Sequence, residues 1–304
     1  MEKLLGQYKN SNAIVKLYED GTKIRETEDD DFLPAERPET MDVCISEYCA
    51  NDCPMCYAGC SKNGKHADFQ KYAKLLNSIP YLCEMAININ SDPHPNLIPF
   101  LETMKEQNVI VNATVHQKQF VENTDFYKDL TDKKLLYGLG ISMVNPNETF
   151  LKKVKQFPNA IIHVINGIVT EEQIKGMYDQ DIKMLILGYK MVGRGIDWYG
   201  EEGYKILDKQ IWLKENLLEI AKHFSIISFD NLAVEQLNVR NLVDEETWST
   251  RFLGEDGSIS FYINLVDGYF ARNSLSPVHY PIGDKTVDEC FNVIQEECLQ
   301  VRSA

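Results

Sequence analysis

The chain has 304 residues, and 46 acidic against 31 basic side chains give it a formal charge of −15. That balance argues against a nucleic-acid backbone or an anionic membrane as the main partner, because both repel an acidic protein. No stretch reaches the ~20 apolar residues of a membrane span, and the opening Met-Glu-Lys-Leu-Leu lacks the apolar run of a signal peptide, so a reducing cytoplasm is expected.

The first predicted element is a β-hairpin, from Ala13 to Leu17 and from Lys23 to Glu26, joined by an Asp20-Gly21 turn. Asp29, Asp30 and Asp31, then Pro34 and Pro38, form an acidic linker whose composition resists packing. From Met41 onward, apolar strand-like runs alternate with helical segments, the signature of βα units around a parallel sheet. Seven strands are expected: Met41 to Ser46, Leu82 to Asn90, Val109 to Val115, Leu136 to Val144, Ala160 to Ile165, Ile182 to Tyr189 and Ser225 to Phe229. The helical segments are Asp68 to Ser78, Asn96 to Gln107, Asp125 to Lys133, Glu148 to Gln156, Glu171 to Tyr178 and Tyr204 to His223. A further strand pair, Ile259 to Val266 and Tyr269 to Ala271, precedes a helix from Thr286 to Gln295. The expected division is therefore 1–40 for hairpin and linker, 41–235 for the main α/β domain and 236–304 for a small C-terminal β/α extension.

The most diagnostic motif is Cys49-Ala-Asn-Asp-Cys53-Pro-Met-Cys56, a C-x3-C-x2-C triplet directly after the first strand of the main domain. Three thiolates on one short loop can hold three irons of a [4Fe–4S] cluster and leave the fourth open for chemistry. Cys60 follows by four residues, so Cys49, Cys53, Cys56 and Cys60 also suit a closed structural zinc site in a non-catalytic protein. Cys290 and Cys298, spaced by eight near a helix, read as ordinary thiols rather than ligands.

The triplet and its place resemble the cluster loop of the radical S-adenosylmethionine superfamily. The resemblance spans roughly Met41 to Asn231, and the hairpin, the Gly64-Lys65-His66 stretch and the C-terminal strand pair are similar to short phage and bacterial members. It implies a partial (βα)6 TIM-like barrel, one [4Fe–4S] cluster on Cys49, Cys53 and Cys56, and S-adenosylmethionine as cofactor. The implied activity is reductive cleavage to a 5′-deoxyadenosyl radical that abstracts hydrogen from a peptide or small-molecule substrate such as a nucleoside, with flavodoxin or ferredoxin as reductant. The C-terminal region lacks the extra cysteines of auxiliary clusters.

In parallel barrels the chemistry gathers at the C-terminal strand ends. After strand two, Asn90-Ser91-Asp92-Pro93 stands where the family has Gly-Gly-Glu-Pro; the resemblance assigns Asp92 to the S-adenosylmethionine amino group, with Asn90 and Ser91 in place of both glycines. The same residues also suit a turn before a helix. Met55 stands where the family commonly has an aromatic near the adenine, and Tyr57 offers a ring on the other side of Cys56. Ser142 resembles a position near the methionine carboxylate or ribose, and is equally a small strand residue.

Asn112, Thr114 and His116 share one strand face; His116 is a substrate-side candidate or a rim histidine satisfied by backbone. Arg194, in Gly193-Arg194-Gly195, resembles a family turn and is assigned to a carboxylate of cofactor or substrate, the alternative being a surface ion pair. Asp230 and Asn231 line the rim on the substrate side. His66 is placed at the substrate or the loop base, and Asp68 at a helix cap.

Overall fold

A computed structural model describes residues 3–303. Near the N-terminus, β1 (Leu4–Asn10), β2 (Ala13–Tyr18) and β3 (Lys23–Glu26) form an antiparallel sheet. The expected hairpin thus gains a strand, with Ser11 at a φ of 55° in the turn between β1 and β2. The acidic linker does not hold this sheet apart. Asn10 accepts from the backbone N–H of Glu36 and Arg37, Asn12 bonds Asp29 and the Leu33 N–H, and Lys23 reaches Glu84 at 2.5 Å.

The rest of the chain reads β4 (Thr40–Cys44), α1 (Ala73–Asn77), β5 (Glu84–Ile89), α2 (Leu97–Glu106), β6 (Ile110–His116), α3 (Gln117–Glu122), α4 (Thr124–Asp132) and β7 (Gly138–Ser142). It continues with α5 (Glu148–Val154), β8 (Ala160–Ile165), α6 (Glu171–Lys175), β9 (Lys183–Leu187), α7 (Arg194–Ile220), β10 (Ile226–Phe229), α8 (Asn231–Leu237) and α9 (Glu245–Arg251). Last come β11 (Ser260–Asn264), β12 (Tyr269–Ala271), β13 (Tyr280–Pro281) and α10 (Val287–Ser303).

Strands β4 to β10 are neighbours in sequence order and all parallel, as alternating strand and helix patterns require. β11 lies parallel on the free side of β4, and β12 and β13 continue antiparallel, so ten strands form one sheet. The described strands do not close into a barrel: β10 and β13 are edges. Among the described residues no helix is long and apolar enough to cross a membrane.

Alternation along each strand sorts the two faces. Val43, Met85, Ile87, Ala113, Ile141, Ile162, Val164 and Ile186 are buried in one core with Leu101, Phe120, Phe150, Ile174 and Leu213 of the helices. The opposite face carries Asp42, Asn88, Asn112, Thr114, Ser142 and His163. A parallel sheet with both faces in an apolar core would read as continuous hydrophobic runs; the polar alternation here marks a face kept for something else.

α7 begins ten residues before the expected Tyr204. Gly195, Gly200 and Gly203 weaken its helical signal, but tertiary contacts anchor its first turn. The Arg194 N–H donates to the Cys56 carbonyl, and the Tyr189 hydroxyl donates to the Gly195 carbonyl at 2.7 Å.

Candidate functional site: the cysteine loop and the polar sheet face

The triplet lies in the loop leaving the C-terminal end of β4, which carries Asp42 at one end of the polar face. This loop folds back on itself: Glu47 N–H donates to Lys65, Cys49 N–H to Ser61 and Ala67 N–H to Ile45. Gly64 permits the return, since a Cβ there would meet the Glu47 carbonyl oxygen at 2.0 Å.

Side chains from neighbouring strand ends then bind the loop's backbone. Asn88 accepts from the Ile45 N–H and donates to the Ser46 carbonyl at 2.6 Å. Asn90 donates to the carbonyls of Ser46 and Tyr48, both at 2.9 Å, with its amide 3.9 Å from the Cys60 sulfur. Ser91 Oγ accepts from the Ala50 N–H at 2.7 Å and donates to the exposed Asp92 at 2.9 Å. Asn51 in the loop exchanges two amide hydrogen bonds of 3.0 Å with Gln119 of α3. His66 meets Ser46 Oγ at 3.0 Å, placing it at the loop base.

Arg194 closes the far side. Its Nε and Nη2 donate to the Cys53 carbonyl at 3.1 and 3.0 Å, and Nη1 donates to the Cys60 carbonyl at 3.0 Å. The sequence reading gives this fork to a cofactor or substrate carboxylate; in the fold it grips the loop instead. The flanking Gly193 has a φ of 55°, and a Cβ on it would sit 2.2 Å from the Tyr57 carbonyl oxygen.

The thiols sense one another. Burial raises the pKa of Cys53, the neighbouring Cys56 and Cys49 add to the rise, and Arg194 opposes it. Cys56 is lowered to about 6, chiefly because the Cys60 thiol hydrogen-bonds to it, and Cys60 is raised in turn. Cys60 is buried, whereas the other three thiols of the loop are partly exposed. Among the described residues no three His, Cys, Asp or Glu side chains form a ready-made metal site. The donor set nevertheless suits the irons of an iron–sulfur cluster, which take thiolate ligands: three thiols on one loop, beside a guanidinium that favours thiolate.

Other expected site residues fall into place unevenly. Ser142, at the end of β7, lies in register with His116 on β6 and His163 on β8. The His116 Nδ1 accepts from the Lys118 N–H at 3.1 Å and caps α3, while burial lowers its pKa. Asp230, expected on the substrate side, accepts at Oδ1 from Ala233 N–H, capping α8, and from Gly188 N–H. Asn231 donates to Asp256 at 2.6 Å. Asp68 was expected to cap a helix, but it accepts from Gln70 and Lys71 in a turn, and α1 starts only at Ala73. Tyr57 lies under Lys190, whose Nζ is 4.1 Å from the ring centroid, and Met55 presents its carbonyl towards Gly195. Cys290 is buried on α10 with its pKa pushed up to about 12 by burial.

Three residues of the polar face were absent from the sequence reading. Asp42 is reachable by solvent yet walled in by protein, and this desolvation raises its pKa, against Lys190 and with Asp256 and Asp230. Lys190 also donates to Ser274 at 3.1 Å, joining the strand end to the C-terminal segment. His163 is buried with Nδ1 unpartnered, and burial lowers its pKa to about 4. Period-two alternation within Ala160–Ile165 was the available signal: it puts His163 on the face of Gly140, where a Cβ would lie 2.1 Å from the imidazole. A cavity of about 560 Å³ lies at the other end of the strands, lined by Glu19, Lys134, Asn159 and Lys183, where conserving the fold rather than chemistry is the usual role.

No known family profile and no curated protein match the sequence. Solved structures do. The fold is similar to that of SuiB from Streptococcus suis bound to S-adenosylmethionine, at TM-score 0.58 and 10% identity, covering 96% of this chain and 87% of that one. It is also similar to SuiB bound to the precursor peptide SuiA, at TM-score 0.56 and 11% identity; there the match covers 85% of this chain and 65% of the other. At such identities the likeness is one of fold.

Proposed function

We propose that the chain is a radical S-adenosylmethionine enzyme with one [4Fe–4S] cluster, built on a partial (βα)6 barrel and acting on a peptide. The observation that carries this reading is the C-x3-C-x2-C loop at the C-terminal end of β4, fixed by the ends of β5 and the start of α7. Fold similarity to a protein solved with S-adenosylmethionine and with a precursor peptide supports both cofactor and substrate class.

On this reading Cys49, Cys53 and Cys56 hold the cluster. Bound there, the cluster would supply one electron to S-adenosylmethionine, giving methionine and a 5′-deoxyadenosyl radical that would take a hydrogen atom from the substrate. The chain's own residues bind and orient. Asn90 and Ser91 fix the loop's entry and leave Asp92, at the rim, to meet the ammonium of S-adenosylmethionine. Ser142 stands further along the same row of strand ends, and Met55 and Tyr57 flank the third cysteine. The substrate then lies over the polar face near His116, Asp42 and Asp230, with the segment 236–304 contributing β11 beside the cysteine strand. A flavodoxin or ferredoxin serves as reductant, in the cytoplasm.

The rival is a closed zinc site that recruits Cys60, which is buried with its thiol hydrogen-bonded to Cys56; what favours the open cluster is the fold similarity to a protein solved with S-adenosylmethionine. The test is anaerobic reconstitution with iron and sulfide. About four irons per chain and a reduced-cluster electron paramagnetic resonance signal, both lost in Cys53→Ala, support the proposal; tight zinc and no iron uptake overturn it.

A further inference from the structure

Neutral amides and hydroxyls hold the cysteine loop on its β5 and α3 sides, while Arg194, a cation, grips its backbone from the α7 side. Arg194 touches the loop at two points flanking Cys56: the Cys53 carbonyl receives Nε and Nη2, and the Cys60 carbonyl receives Nη1. Its backbone N–H donates to the Cys56 carbonyl at 3.2 Å. A planar fork puts donors on three separate nitrogens and so holds two carbonyls apart in a fixed geometry; a lysine ammonium has its three donors on one nitrogen at the end of a flexible stem and cannot hold that spread.

The support behind the fork is rigid. Arg194 is the first residue of the 27-residue α7, whose Ile206, Leu213, Leu217 and Ile220 are buried. Gly193 and Gly195 allow the close approach, with virtual Cβ contacts of 2.2 Å to the Tyr57 oxygen and 2.3 Å to the Lys190 oxygen. The one carboxylate paired with it among the described residues, Asp52, is 3.9 Å away on a side chain 85% exposed, so solvent screens that pair and leaves much of the positive charge in place. The start of α7 adds its own partial positive charge in the same direction.

Building on the cluster assignment above, we propose that Arg194 is a positioning residue that fixes the loop between Cys53 and Cys60 and biases the bound cluster towards its reduced form. Reduction adds negative charge, and a fixed cation beside the ligands stabilises the more negative state. The midpoint potential therefore sits higher with Arg194 than without it.

Arg194→Lys and Arg194→Gln separate the two parts. In reconstituted protein, Lys keeps a midpoint near the wild-type value but releases iron to a chelator faster, because the fork is gone. Gln also releases iron faster, and its midpoint in an electron paramagnetic resonance redox titration moves negative, by ~59 mV for each tenfold change in the one-electron equilibrium. A Gln variant with wild-type iron retention and midpoint overturns the proposal. If wild-type protein takes up no iron, the cluster reading fails by itself, and the clamp is decided on the metal-free chain. Faster hydrogen–deuterium exchange across residues 49–60 in both variants, with an unchanged circular dichroism spectrum, supports the clamp; wild-type exchange there refutes it.

Discussion

Asn90 and Tyr48 are joined by an amide-to-carbonyl hydrogen bond of 2.9 Å, and the same amide holds the Ser46 carbonyl, so the end of β5 fixes the entry to the cysteine loop. Leaving such part-buried carbonyls unmet costs about 1–3 kcal/mol. Asn90→Asp, which replaces the donor by an acceptor, is therefore expected to lower the urea unfolding free energy by about that much at pH 7. An unchanged unfolding midpoint would show that the amide does not hold the loop.

Two glycines in one helical region should answer oppositely to alanine. Gly193 combines a φ of 55° with a virtual Cβ 2.2 Å from a backbone oxygen, so Gly193→Ala is expected to cost more than ~2 kcal/mol and to displace the loop. Gly200, exposed inside α7 with nothing within 4 Å of its virtual Cβ, should gain stability with alanine, by about 0.5–1 kcal/mol. Thermal unfolding of the two variants side by side checks both signs.

The cysteines should divide three against one. Cys49→Ala, Cys53→Ala and Cys56→Ala each abolish stable iron uptake, whereas Cys60→Ala retains it, because an open iron needs only three protein ligands. Iron and sulfide analysis after anaerobic reconstitution reads the result; loss of metal in Cys60→Ala would favour the closed tetrahedral site.

His163 makes stability depend on pH. Its folded pKa is about 4 against 6.5 for the free side chain, so between these values the unfolded chain binds a proton that the folded chain refuses. Stability therefore rises with pH across this window and falls on acidification. From pH 7 to pH 5 the wild type should lose about 2 kcal/mol more than His163→Gln, measured by urea titration at both values. Equal losses would mean that His163 does not remain neutral in the folded protein.

Much of the scaffold was legible because its strands combine apolar alternation with turn residues at their ends. Ala160–Ile165 was placed to the residue, and every strand of the parallel run was found within one to two residues at most ends. β1 was not found, since Gly6 and a register shift between Leu4 and Gly6 break its alternation. The start of α7 was hidden by its glycines, whose helical state is decided by contacts to Cys56 and Tyr189 that no local pattern encodes.

The site was legible where chemistry imposes spacing and illegible where it does not. The cysteine triplet stands out because three ligands must share one loop. A polar residue at a strand end gives the same sequence signal whether it meets a ligand or caps the next helix, and His116 and Asp230 make capping bonds. Arg194 was noticed for its flanking glycines, but the carbonyls it grips lie about 140 positions away in sequence and only the fold brings them near.

The central claim is that this loop and fold carry radical S-adenosylmethionine chemistry. The most direct test is chromatography for 5′-deoxyadenosine after anaerobic reconstitution with iron and sulfide and addition of S-adenosylmethionine and dithionite. The account predicts 5′-deoxyadenosine from the wild type and none above background from the Cys49, Cys53 and Cys56 triple alanine variant. A fully reconstituted wild type that yields no more 5′-deoxyadenosine than the triple variant would contradict it.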